Sequence, residues 1–354
     1  MPRTARTART AFSRTALAAL TATALLLTPG APAAYGSASH GGAADAAPGG
    51  ARVVGEKRTG PRLVDLTVDS PALGGRATVR LLTPDGWERR RPTDRWPVLY
   101  LLAGGHGDPA AWTEDHAVDE RPELRDVLVV MPSMPLFGFY SNWRNGGAGG
   151  APAVETFHLD EVRPLLERSY GAGNRRAAAG ESQGGFGGLS YAARRPGLFR
   201  AVASYSGFVR PLQHPHAVRA GMRYLGLDWR AVWGDPVEQH ANWEAHDPYH
   251  LADRLRGVRV HLSSGDGAPG VLDPPDVEPD PHIPGLEDPS DPFPADVVSP
   301  TETVMERESR SLAARLADAG VPVTTHFYAG THSPPYWKRE LDRTLPMLLN
   351  ALEE

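Results

Sequence analysis

The chain has 354 residues, of which 41% are hydrophobic and 22% charged, and a formal net charge of −5. These are ordinary values for a soluble globular protein, and they give no electrostatic case for nucleic acid or an anionic membrane as partner. There is no cysteine, so thiol catalysis, disulfides and cysteine-ligated metal are excluded.

The first 34 residues read as a signal peptide. "MPRTARTARTAFSR" is basic, "TALAALTATALLL" is apolar, and Ala31-Pro32-Ala33 has the small-x-small form of a cleavage site. The apolar run is short for a bilayer span, and the basic region has no Arg-Arg pair. The expectation is therefore a secreted protein exported by a Sec-type route, with no integral membrane segment after cleavage. Residues 35–58, rich in Ala, Gly and Ser, read as a flexible lead-in. The remainder, 59–354, reads as one domain.

Within it, "RLVDLTVDS" and "RATVRLLTP" are expected to pair as strands across "PALGG". "WPVLYLLAGG" and "RDVLVVMPS" are solid apolar runs, the mark of strands buried on both faces. "TFHLDEVRPLLERSYG" has helical spacing and a Gly stop. "RRAAAGES" is a strand of small residues, and a helix follows in "GGFGGLSYAARRPGLF". "FRAVASYSG" and "VRVHLSSGDG" are strands, "TETVMERESRSLAARLADAG" is an amphipathic helix, "VPVTTHFYAG" a last strand and "PYWKRELDRTLPMLLNAL" a last helix. Alternating strands and helices imply an α/β fold with a mostly parallel sheet and helices on both faces. A Gly-rich loop, 140–155, and a Pro/Asp-rich insertion, 267–299, fall near strand C-termini, where such sheets bind ligands. The insertion's carboxylates lack EF-hand spacing, with Pro281 where the Gly belongs, and read as a solvated loop.

"GESQG", Gly180–Gly184, fits G-x-S-x-G between a strand and a helix, the setting of a nucleophile elbow. Such a turn exposes Ser182 and aims the Gln183 N–H at a developing oxyanion. Phosphate binding is excluded: no Lys-Ser/Thr follows the glycines, and Ser190 stands where a dinucleotide loop wants its third glycine. A serine alcohol needs a base, and this fold orders its residues Ser, acid, His. His332, directly after the last strand, is in place for the base. His214, His216, His240, His246, His250, His261, His282 and His326 lie in helices, strands or the insertion. Two acids are open: Asp266, after a strand end and slightly favoured by topology, and Glu302, opening a helix. The second oxyanion donor is expected at Gly105 in "LLAGGHGD", with His106 nearby as a substrate contact. Trp112, Trp143 and Trp337 are read as loop aromatics near the site, with Trp143 and Trp337 as substrate contacts.

Several stretches resemble the putative-esterase family of α/β-hydrolases that includes the antigen 85 mycolyltransferases. They are "VLYLLAGG", "FYSNW", "ETFHLDEVRPLLERSYG", "AAAGESQGGFGGLSYAARRPGLFRAVASYSG" and "GTHSPPYW", and the similarity runs from about Leu63 to Leu349. The resemblance implies the α/β-hydrolase fold and acyl-ester chemistry on a small-molecule or glycolipid ester, with no metal or cofactor. It also places the acid at Glu302, since the mycolyltransferases carry a Glu at the start of the helix before the last strand. The family's Asp and Arg that help hold trehalose are Ala103 and His106 here, and Asn142 replaces an Asp in "FYSNW". The expectation is thus a general secreted serine esterase. The alternatives are an acyltransferase to a cell-envelope sugar and a non-catalytic binding member of the fold.

Overall fold

The computed structural model describes residues 49–354. The expected signal peptide and residues 35–48 of the expected lead-in lie outside the described residues. Residues 52–58 correct the rest of that reading: Arg52–Arg58 is a strand, β1. It is an exposed edge strand in which only Val53 packs on the core, so its composition resembles a linker. Backbone pairing with the next strand and an Arg52–Asp69 ion pair of 2.7 Å hold it.

After β1 come β2 (Leu63–Ser70), β3 (Gly75–Leu82), β4 (Trp96–Leu102), α1 (Ala111–Glu114), β5 (Leu128–Pro132), α2 (Val154–Thr156) and α3 (Arg163–Ser169). A π-helical stretch, Phe157–Val162, joins α2 to α3. Next are β6 (Ala172–Glu181), α4 (Gln183–Arg194), β7 (Ala201–Tyr205), α5 (Pro215–Tyr224), α6 (Arg230–Trp233) and α7 (His240–Glu244). β8 (Arg259–Gly265), α8 (Pro300–Asp318), β9 (Val323–Tyr328) and α9 (Pro334–Glu353) complete the chain. Proline starts α8 and α9, where its fixed φ suits the helix and its missing N–H would be unpaired anyway.

Among the described residues the strands form one sheet in the order β1-β2-β3-β5-β4-β6-β7-β8-β9. β1, β2 and β3 are an antiparallel meander, as the "PALGG" turn predicts, and β3 also meets β5 antiparallel. From β5 to β9 the neighbours are parallel. The run in β4 is continuous because both faces are buried: Val98, Tyr100 and Leu102 join one core cluster, Leu99 and Leu101 the other. Phe186 and Leu189 of α4 and Leu312 and Leu316 of α8 cover the first face. Leu341, Leu345 and Leu348 of α9, with Trp112 and Leu124, cover the second.

Register then sets the site. Leu102 pairs with Gly180, Glu181 with Tyr205, Tyr205 with Ser263, and Gly265 with Tyr328. The C-terminal ends of β4, β6, β7, β8 and β9 therefore form one rim, and the loops carrying the expected site residues leave from it. The insertion after β8 has no helix or strand and is tied to that rim. Asp273 accepts Thr331 Oγ1 at 2.5 Å and Tyr336 OH at 2.8 Å, and Asp280 accepts Ser299 Oγ. No helix among the described residues is long and apolar enough to cross a membrane.

Candidate active site

Ser182 sits between β6 and α4 with φ 53° and ψ −122°, a conformation that costs a non-glycine residue energy and persists only when its surroundings enforce it. They do so here. Ser182 N donates to Tyr205 O at 2.8 Å, and Ser182 O accepts from Gly185 N at 3.0 Å. The flanking glycines permit the crossing of strand and helix: a Cβ on Gly180 would lie 2.2 Å from Gly184 C, and one on Gly184 1.9 Å from Leu102 O. Gly180 of "RRAAAGES" is thus required by the close approach of α4.

The Ser182 hydroxyl lies 3.0 Å from His332 Nε2, and His332 Nδ1 lies 2.6 Å from Glu302 Oε2. A carboxylate only accepts, so Nδ1–H donates to Glu302, leaving Nε2 to accept the serine proton. Glu302 is fully buried in the first turn of α8. Its other oxygen accepts from Ser206 Oγ (2.7 Å), Ser264 Oγ (2.8 Å) and Gly265 N (2.5 Å). Burial pulls the His332 imidazole toward the neutral form. The hydrogen bond and charge of Glu302, with the more distant charges of Asp280 and Glu181, outweigh it and raise the pKa above the usual imidazole value.

Asp266 is not brought to His332. It is exposed, and its Oδ1 accepts from Ala268 N at 3.0 Å and Gly330 N at 3.3 Å, as a turn-forming carboxylate does. Of the two acids open in the sequence, the structure joins Glu302 to His332.

On the other side of Ser182, Gln183 N–H and Gly105 N–H have no hydrogen-bond partner among the described residues. The turn Gly104–Gly107 closes through Gly107 N to Gly104 O at 2.9 Å. A Cβ on Gly104 would lie 3.5 Å from Ser182 Cβ, so this turn stands directly against the serine. The loop of Phe137, Phe139 and Tyr140 braces it: all three have positive φ, and Tyr140 OH donates to Ala103 O at 2.6 Å. The unpaired N–H groups of Gln183 and Gly105 and the N-terminus of α4 thus belong to the segments that flank Ser182.

The sequence model of the family described as "Putative esterase" matches residues 70–348. The chain belongs to this family. It is 30% identical to "Esterase Rv1288" of Mycobacterium tuberculosis over 313 residues, covering 85% of this chain and 63% of that protein. The chain therefore spans less than two thirds of that relative's length. It is 29% identical to "Diacylglycerol acyltransferase/mycolyltransferase Ag85C" of Mycobacterium avium over 337 residues, 90% of this chain and 86% of that one. The crystal structure of Mycobacterium tuberculosis MPT51 superimposes with a TM-score of 0.63 at 23% identity, over 83% of this chain and all of that one. That likeness shows the α/β-hydrolase fold.

The three tryptophans read as loop residues near the site are all buried, and Trp337 lies against His332. Trp112 is fully buried in α1, packed on the His116 ring. Trp143 is in a loop but buried in the main core, its indole N–H donating to Gly138 O at 3.1 Å. Trp337 is in α9 rather than a loop. Its ring meets His332 edge-on at 4.9 Å, and its N–H donates to Ser206 Oγ at 2.9 Å. Large side chains in a Gly-rich loop resemble pocket walls in sequence, yet burial of 150–250 Å² apiece draws them into the core. His106 is exposed on the Gly104–Gly107 turn and makes no side-chain hydrogen bond among the described residues. The aromatic ring beside Gly105 is that of half-buried Phe137, 3.1 Å from where a Gly105 Cβ would stand. Phe137, Ser206 and Ser264 were not singled out in the sequence. The one local trace of Ser206 is its place after a strand in "SYSG", where its φ is 48°.

Proposed function

We propose that the chain is a serine esterase acting on carboxylic esters through Ser182, His332 and Glu302. The observation that carries this reading is the relay Ser182 Oγ–His332 Nε2 (3.0 Å) and His332 Nδ1–Glu302 Oε2 (2.6 Å). Ser182 Oγ attacks the ester carbonyl carbon while His332 Nε2 takes its proton. The oxyanion rests on Gln183 N–H and Gly105 N–H, each such donor worth about 3 kcal/mol. Collapse breaks the bond to the alkoxy group, and His332 returns the proton to the leaving alcohol. Water, deprotonated by His332, then attacks the acyl-enzyme, and His332 returns the proton to Ser182 Oγ as the acid leaves. Glu302 holds the tautomer and stabilises the imidazolium. Phe137 and His106, at the oxyanion turn, are the proposed first substrate contacts.

Fluorophosphonate labelling with peptide mapping tests the reading. Label on Ser182 that is absent in His332→Ala supports it. Well-folded protein that takes no label refutes it and favours the non-catalytic binding member of the fold. A second reading, transfer of the acyl group to a sugar hydroxyl, is favoured by the similarity to Ag85C, which is named an acyltransferase/mycolyltransferase. Product analysis with and without a sugar acceptor separates transfer from hydrolysis. We also read residues 1–34 as a cleaved export signal, which N-terminal sequencing of protein from the culture medium tests.

A further inference from the structure

Glu181, the last residue of β6, is buried directly before Ser182 and against the oxyanion turn. Its Oε2 lies 2.7 Å from His116 Nε2, and its Oε1 accepts from Gly104 N at 3.4 Å. His116 is fully buried against Trp112, and its Nδ1 has no hydrogen-bond partner among the described residues. Arg121 donates to the His116 carbonyl at 3.3 Å and is itself paired with Asp342 of α9. The carboxylate thus bridges three pieces of chain: the strand that ends at the serine, the turn that presents Gly105, and the segment after α1.

Stability gives a poor account of such a pair. Buried ionisable pairs are often no better than apolar residues of the same size, and the orphaned Nδ1 is a further penalty. Groups held at such expense beside a reacting centre are candidates for tuning it.

We propose that Glu181, held by His116, is a positioning residue that sets the oxyanion turn against Ser182. This rests on Ser182 being the nucleophile. Glu181 contacts His116 and the Gly104 N–H, and its charge also bears on Asp115, Tyr140 and His332. His332 contacts Glu302, and the charges of Asp280 and Glu181 also bear on it. Among them Glu181 adds to the charge that favours the imidazolium formed as the serine proton leaves.

The test is Glu181→Gln, which keeps shape and an acceptor for Gly104 N–H but removes the charge. With p-nitrophenyl acetate as substrate, kcat is expected to fall on the order of 10- to 100-fold with KM little changed, as for a misplaced reacting geometry. The acid limb of the kcat/KM profile moves to lower pH, because one charge that favours the imidazolium is gone. A merely structural role would lower activity without moving that limb. His116→Gln, which still offers a donor to Glu181, should retain more activity than His116→Leu. Wild-type kcat and an unmoved acid limb in folded Glu181→Gln would overturn the inference, as would equal activity of the two His116 variants. Fluorophosphonate labelling of Ser182 in the wild type keeps the two questions apart. Label with unchanged Glu181→Gln kinetics sinks only this inference, whereas absence of label sinks the nucleophile itself.

Discussion

Replacing Glu302 by Gln separates the two acids that the sequence leaves open, and the structure sets the size of the effect. In the wild type one carboxylate receives four donors: Ser206 Oγ, Ser264 Oγ, Gly265 N and His332 Nδ1. Glutamine offers one acceptor oxygen and a donating NH₂. If the oxygen keeps the three donors on its side, the NH₂ faces His332 Nδ1–H. Two donors at 2.6 Å cannot share a proton, so the imidazole proton moves to Nε2 and points at Ser182 Oγ. The base is then lost, and the expected fall in kcat is about 10⁴-fold, or about 5 kcal/mol. KM should change little, since Glu302 is buried away from any substrate. The assay is steady-state ester hydrolysis by Glu302→Gln and Asp266→Asn, with thermal melts to show that both fold. Asp266→Asn should stay near wild type. A Glu302→Gln enzyme within tenfold of wild type, or a larger loss in Asp266→Asn, would refute the assignment.

Protonated His332 cannot take the serine proton, and its pKa is raised; activity should therefore be lost as pH falls through a value above the usual 6.5 of imidazole, and a kcat/KM limb below that value contradicts the site geometry. His158 and His246 are buried and pushed down to about 4, by desolvation first in both cases. Each favours the folded state fully above about 6.5 and loses that contribution as pH falls toward 4, roughly 3 kcal/mol apiece. Asp247, pushed up to about 7 mainly by burial, acts in the opposite sense over the same range. The clean comparison is thus denaturant unfolding at pH 8 and pH 5 for wild type and His158→Gln, where the variant should show the shallower acid loss. Gly184→Ala places a Cβ 1.9 Å from Leu102 O in the central strand, whereas in Gly188→Ala the nearest atom is Val202 Cγ1 at 3.2 Å. Gly184→Ala should destabilise by at least about 3 kcal/mol and Gly188→Ala by far less, as read from thermal melts.

The centre of the sheet was legible because its signals are local. β4 and β5 are apolar throughout, β6 carries the small run 177–180 near its end, Ser182 follows β6 directly, and His332 lies in the loop after β9. The edge was not. β1 is exposed, and its pairing partner 17 residues away at Asp69 leaves no trace in its own composition. Helical spacing over 156–171 was correct as a helix, but the π-helical register of Phe157–Val162 was not visible, since the same side chains fill both windings. The acid shows a third case. Asp266 and Glu302 have similar local claims; the resemblance favours Glu302, and in the structure the His332 bond and burial of Glu302, against the turn bonds of exposed Asp266, distinguish them.

What the sequence could not show is how firmly the relay is held, because its supports come from four elements. Ser206 follows β7, Ser264 and Gly265 end β8, Trp337 is in α9, and Glu302 itself opens α8. Trp337 N–H fixes Ser206 Oγ at 2.9 Å, and Ser206 passes its proton toward Glu302 at 2.7 Å. The same indole lies edge-on to His332 at 4.9 Å. One side chain therefore restrains both partners of the Glu302–His332 bond, from behind and from the side. A carboxylate already surrounded by four donors needs no reorganisation when charge appears on the imidazole, which is the condition for electrostatic stabilisation to act on the transition state. Trp337 was expected to touch substrate. In the structure it is buried in α9, with its ring on His332 and its N–H on Ser206 Oγ.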